Sequence, residues 1–231
     1  MKRDLNSIFA LTLLACLTLA STQSLADNSV YVKETSTGSG QTLNLVLPIQ
    51  SGAHDYFSGT ANITVGSTSV NGTSFLAYCV DPFQWSSSQA LQYSVASLGS
   101  LGTTQAADVS TLYSQSYAST SGNDLNSAAF QLALWELAKD DGVLTTGAVH
   151  TTGSTNSTVV AAASSMISNA KNGVTGSTQY SFNLYTNGNK QDYLVASLAP
   201  VTPVPEPETY AMLLAGLGLI GFTARRRLQS T

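Results

Sequence analysis

Cys79 closes the stretch Ser74-Phe75-Leu76-Ala77-Tyr78-Cys79 and is one of two cysteines in this 231-residue chain. The other, Cys16, lies in an N-terminal apolar run expected to be discarded. Exported proteins normally pair their cysteines, so a solitary thiol has four readings. It is an inert, small hydrophobe, a bridge between two chains, a nucleophile, or one half of a bond to another side chain. The nucleophile reading finds no histidine nearby in sequence. The last reading points to Gln131, in Ala129-Phe130-Gln131-Leu132-Ala133-Leu134-Trp135-Glu136-Leu137. On a helix, Gln131 shares a face with Leu134, Trp135 and Ala138. A carboxamide there either faces solvent or is buried, and a buried one needs partners for its polar atoms.

The elements that must position these two residues read as α+β. Strands are expected at Val30–Lys33, around Leu43 to Leu47, at Ala61–Val65 and Phe75–Val80, with a weaker one at Leu91–Val95. Asn71-Gly72 marks a hairpin turn. The middle of the chain changes to helical periodicity: Thr104–Tyr117, Asn126–Lys139 and Val159–Lys171. Asp124, Asn126 or Ser127 would cap the second helix and Gly142 would stop it. The chain then returns to β in a hairpin, with Tyr180, Phe182 and Leu184 alternating, a turn at Asn187-Gly188, and a strand from Asp192 to Leu198. The expected architecture is an antiparallel β-rich N-terminal half and a C-terminal hairpin around about three helices.

Both termini carry delivery signals. Lys2 and Arg3 precede the apolar run Ile8–Ala20, and Ser24-Leu25-Ala26 is a small-x-small cleavage pattern, so residues 1–26 read as a signal peptide cleaved after Ala26. The lipoprotein reading of Leu13-Leu14-Ala15-Cys16 is disfavoured by bulky Leu14 and by the apolar run continuing past Cys16. Residues 27–199 form one extracytoplasmic domain, 200–209 a Pro-rich linker, and 210–231 a short apolar helix followed by Arg225, Arg226 and Arg227. The helix is short for a bilayer span, and the arginines would stop it at the cytoplasmic face. Val204-Pro205-Glu206-Pro207, the apolar helix and the arginine cluster together resemble the PEP-CTERM sorting signal of Gram-negative bacteria. The resemblance implies export by the secretion machinery and a transient membrane anchor. An exosortase, a membrane-embedded cysteine protease, would then process the tail near Pro205, Glu206 and Pro207. It implies delivery to the cell surface or matrix, often in organisms that make exopolysaccharide.

Composition narrows the role of the body. Between Asp27 and Ala199 there are ten acidic and four basic residues, a net charge of −6, and no arginine between Arg3 and Arg225. Nucleic-acid binders need clustered Lys and Arg, so that class is excluded. No GxSxG elbow, phosphate loop or HExxH is present. Two histidines, His54 and His150, are too few for a zinc site. Asp140-Asp141-Gly142 lacks the further oxygen ligands of a calcium loop and reads as a helix terminus. The chain is not expected to be an enzyme or to hold a metal or cofactor.

Tyr78-Cys79 at a strand end, followed about fifty residues later by Gln131-Leu132-Ala133-Leu134-Trp135-Glu136, resembles the thioester domains of bacterial surface adhesins. Those domains pair an aromatic-Cys motif with a TQxA-IW-type motif; here Phe130 stands where threonine is common and Leu134 where isoleucine is. Thr104-Gln105-Ala106-Ala107 matches the literal string but lacks the following Trp. The resemblance implies that Cys79 supplies the thiol and Gln131 the acyl group, with loss of ammonia, and that the thioester then captures a surface nucleophile. Such chemistry requires the thiol held against the amide carbonyl, a proximity effect of roughly 7–11 kcal/mol. It also requires donors on the oxyanion, roughly 3–4 kcal/mol each. Tyr78, Phe83, Trp85 and Trp135 are the aromatic residues that would shield it from water. The competing expectation is a noncovalent structural, polysaccharide- or ice-binding surface module with an inert Cys79.

Overall fold

The computed structural model describes residues 29–174, 176, 178–199, 212, 214–217 and 220. The expected signal peptide with its Ala26 cleavage site, the expected linker, Pro205, Glu206, Pro207 and Arg225 to Arg227 lie outside the described residues.

The α+β expectation holds. Seven strands are β1 (Ser29–Val46), β2 (Ala53–Gly66), β3 (Thr73–Cys79), β4 (Leu91–Ala96), β5 (His150–Thr151), β6 (Tyr180–Asn187) and β7 (Lys190–Leu198). Three helices, α1 (Thr103–Ser116), α2 (Asp124–Lys139) and α3 (Ser157–Lys171), lie between β4 and β6 in sequence. All strand pairs are antiparallel, in the order β2-β3-β7-β6-β4-β1-β5, and β1 also pairs with β2. Six strands therefore close into a ring. One apolar cluster takes residues from all six: Val32, Ala61, Ile63, Ala77, Tyr93, Tyr185, Tyr193 and Val195. A cluster drawn from every strand is the interior of a small barrel filled by side chains.

The second, larger core lies between the strands and the helices. Leu43, Leu45, Tyr56, Tyr78 and Val80 from the strand side meet Val109, Leu112, Phe130, Leu134, Val159 and Ala163 from the helices. Tyr78 and Phe130 are its aromatic centre, with ring centroids 4.6 Å apart. Helix α2 runs through this core with every residue from Ser127 to Ala138 buried. That is the expected fate of a helix that is apolar around most of its circumference.

Sequence expectation and structure differ at three places. The two expected strands Val30–Lys33 and Leu43–Leu47 are parts of one strand, β1, whose register with β2 shifts between Glu34 and Ser36 and again between Thr37 and Gly40. The polar, Gly-rich middle hid this continuity. Gly40 opposes Gly59, and a Cβ on Gly59 would lie 2.3 Å from the Ser39 carbonyl oxygen, so only glycine lets the strands approach there. Helix α2 is capped by Asn123, whose side chain accepts from the Asn126 N–H at 3.0 Å, one residue before the expected caps. Its C-cap is Asp140 in extended conformation, and Gly142, at φ +77°, lies two residues further on. His54 and Asp55 sit at the start of β2.

Replacing Asn123 by Ala removes this cap and is expected to lower stability by about 1 kcal/mol. Chemical denaturation should show this as a lower midpoint with an unchanged slope.

Candidate functional site

β3 hands Cys79 to the junction of the two cores. Side chains alternate along a strand, so Ala77 points into the barrel while Tyr78 and Val80 point to the helices. Cys79 packs against both clusters and is partly buried. The backbone alternates as well. The Val80 N–H donates to the Asp192 carbonyl on β7 at 2.9 Å, so the N–H and C=O of Cys79 face the opposite side, toward β2. The β2–β3 ladder stops at Thr60↔Tyr78, one pair short of Cys79.

Gln131 fills that gap. The Cys79 N–H donates to Gln131 Oε1 at 2.9 Å, and Gln131 Nε2 donates to the Cys79 carbonyl at 2.7 Å. The side-chain amide thus takes the place of a strand's peptide group. Gln131 is 1 % exposed, so its two polar atoms need partners, and one residue of β3 supplies both. The helix is fixed at this height: the Ser58 hydroxyl on β2 donates to the Ala128 carbonyl at 2.9 Å. Gln105, the rival glutamine, is exposed in the first turn of α1.

Cys79 and Gln131 line one cavity of about 250 Å³, together with Glu34, Tyr56, Trp85 and Trp135. Of the four aromatic residues expected to shield the site, Trp135 (3 % exposed) and Trp85 (54 % exposed) line this cavity. Trp85 lies over Tyr56 at a centroid distance of 6.2 Å. Tyr78 is instead wholly buried among Phe130, Tyr113 and Tyr117, because its strand position points to the helices. Phe83 is exposed and lies outside the cavity lining. The segment after Cys79 is tied down by the Asp81 carboxylate accepting from the Phe83 N–H (2.8 Å) and the Trp85 carbonyl accepting from the Gln191 N–H (3.1 Å).

The electrostatics of the cavity keep the thiol neutral. Burial pushes the Cys79 thiol well above its usual range, and the nearby Glu34 carboxylate raises it further. The carboxamide of Gln131 is polarised by the Cys79 N–H on its oxygen, the position an oxyanion-stabilising donor occupies. Glu34, on β1, was not singled out from the sequence. By the period-two rule it falls on the same strand face as buried Val32, and an acid on an apolar face was the available signal.

The other sequence features are structural. His54 Nε2 lies 2.9 Å from the Ser51 carbonyl oxygen and His150 Nδ1 3.1 Å from that of Gly147. Asp140 accepts from the Val149 N–H at 2.6 Å, and Asp141 accepts from the Val143 N–H and the Thr146 hydroxyl, both at 2.8 Å. Among the described residues, no group of three or more His, Cys, Asp or Glu side chains is placed to hold a metal ion. Glu136 is wholly buried on α2. Its Oε2 accepts from the Val143 N–H at 3.0 Å, while Oε1 has no hydrogen-bond partner among the described residues. Burial, with Asp140 and Asp141 nearby, lifts its carboxyl to about 8.

Residues 203–227 match the family model described as the PEP-CTERM protein-sorting motif. The chain carries this motif, which marks an exported, transiently membrane-anchored protein that an exosortase processes. None of the curated proteins matches the chain. Among solved structures it is similar to the N-terminal domain of the Streptococcus pyogenes pilus tip adhesin Cpa. Identity is 12%, the TM-score is 0.43, and the match covers 77% of this chain and 97% of that one. Among the described residues no helix is long and apolar enough to cross a membrane.

Two predictions follow from this geometry. Gln131→Leu keeps the bulk but leaves the Cys79 N–H and C=O unpaired. At about 1–3 kcal/mol for each unsatisfied group, the expected loss is roughly 2–6 kcal/mol, read by denaturant titration. Glu136 binds its proton more tightly in the fold than in the unfolded chain, so its contribution is full below about 4.5 and is lost as pH rises to about 8. Stability measured across that window should fall with rising pH, and Glu136→Gln should flatten the fall.

Proposed function

We propose that this exported protein is displayed on the cell surface or in the extracellular matrix, and that its body attaches covalently through an internal Cys79–Gln131 thioester. The single observation that carries the reading is the pairing of the Gln131 amide with the Cys79 backbone, 2.9 and 2.7 Å, beside a cavity lined by both side chains. The Cys79 sulfur attacks Cδ of Gln131, the C–N bond breaks, and the thiol proton leaves with the amide nitrogen as ammonia. The amide oxygen stays on the Cys79 N–H throughout, so the charge that develops on it is met by a donor already in position. A surface nucleophile then takes the acyl group and returns the thiol. Each protein acts once, so the chain is a coupling reagent rather than an enzyme. Exosortase processing would release the body from its membrane tail toward this target, with exopolysaccharide among the matrix components it would meet.

A second reading is a noncovalent structural, polysaccharide- or ice-binding module. It is favoured by the same amide, whose two hydrogen bonds already complete the end of a β-ladder, and by the raised, unreactive thiol.

Mass spectrometry separates the two. There is no Lys or Arg between Lys33 and Lys139, so trypsin releases Cys79 and Gln131 on one fragment, Glu34–Lys139, whatever happens to the tail. A thioester makes this fragment lighter by one ammonia, and methylamine then adds to Gln131 and frees the thiol. Cys79→Ala, which keeps the backbone pairing, should show its full calculated mass. A full-mass wild-type fragment whose cysteine alkylates directly would establish the noncovalent module.

A further inference from the structure

The cavity that holds Cys79 and Gln131 also holds one group suited to move a proton. Glu34 is its only lining carboxylate, and no histidine or lysine lines it among the described residues. Glu34 is held at its backbone and at one carboxyl oxygen. The Glu34 N–H donates to the Ser87 carbonyl at 2.9 Å. The hydroxyl of Tyr193 donates to Glu34 Oε2, also at 2.9 Å. Tyr193 is wholly buried and stands directly opposite Cys79 in the β3–β7 register. Oε2 is thereby tied to the strand next to the cysteine. No hydrogen bond within the described residues engages Oε1.

The thiol cannot supply its own nucleophile here. Burial and the Glu34 charge both hold it protonated, so attack on an amide needs a base that accepts the proton as the bond forms. We propose that Glu34 is that base: it accepts the Cys79 thiol proton as sulfur attacks Cδ of Gln131, then gives the proton to the departing nitrogen. The assignment rests on the thioester reading given above. The step balances. An S–H and a C–N bond break, an S–C and an N–H bond form, ammonia leaves, and Glu34 ends as the carboxylate it was. On capture the same group takes a proton from the incoming nucleophile and returns it to sulfur. Tyr193 is a positioning residue, since it reaches the reaction only through the carboxylate. The titratable groups that bear on Glu34 are Tyr193 from β7, Cys79 from β3 and Tyr93 from β4. Burial raises all three, so each stays neutral through the neutral range.

Reversal gives a clean assay on the full chain. Ammonia at high concentration reopens a thioester to free Cys79 and intact Gln131. After ammonia is removed, reclosure can be followed by the mass of the Glu34–Lys139 fragment at several pH values. Glu34→Gln can still accept the Tyr193 hydroxyl but cannot take a proton. It should slow reclosure at neutral pH by roughly 100-fold or more, the low end of general acid–base contributions. Its rate should climb with pH as hydroxide replaces the missing base, while the wild-type rate stays flat. Equal rates for the two proteins at every pH would overturn the role of Glu34 and leave the thioester standing. A wild-type fragment that never loses ammonia would overturn both. Should Glu34→Gln fail to fold, Tyr193→Phe carries the test: slowed reclosure supports the assignment, and an unchanged rate overturns it.

Discussion

The exchange of two hydrogen bonds between the Gln131 amide and the Cys79 backbone is the contact on which the arrangement of barrel and helices turns. β3 leaves its ladder with β2 one residue early, and an unpaired peptide unit inside a protein costs a few kcal/mol. A polar side chain in the middle of α2 costs a similar amount. Each defect satisfies the other at one height along the helix. The contact therefore sets where α2 sits against the strands, and Ser58 on Ala128 repeats the setting from β2.

Around that contact the protein keeps charge sparse. The barrel interior and the helical core are separate apolar clusters, and Cys79 is among the few residues that touch both. Glu34 reaches the same cavity from β1, tied to Tyr193. The buried Tyr193 hydroxyl supplies that carboxyl a hydrogen bond. The thiol, raised by burial and by the Glu34 charge, stays neutral. A thiol held neutral in this way is poorly suited to rapid thiolate exchange.

Much of this was legible in the sequence and some was not. α2 announced itself through Ala, Leu and Glu, and the C-terminal hairpin through alternation around Asn187-Gly188. The closed ring was not legible, because β3 meets β7 through two residue pairs, Tyr78↔Leu194 and Cys79↔Tyr193, more than a hundred positions apart. β1 looked like two strands because its middle is Ser, Thr and Gly, residues that read as loop until a partner is in view. The Cys79–Gln131 pairing was suggested by resemblance to a family. Glu34 is silent in the sequence because one acid among sparse charges carries no local pattern, and only the phase of its strand marks it. Tyr78 adjoins the cysteine and so reads as a shield, whereas alternation sends neighbours to opposite sides.

Fifty-two positions separate the two partners along the chain, and β4 and α1 lie between them. A covalent bond at this point would cinch that segment into a loop, as a disulfide does. By the same entropy argument it would remove freedom from the unfolded chain worth about 4 kcal/mol. Capture of a target would undo the cinch at the moment the protein becomes tethered. The attached form would then be the looser one, held to its surroundings more firmly than to itself.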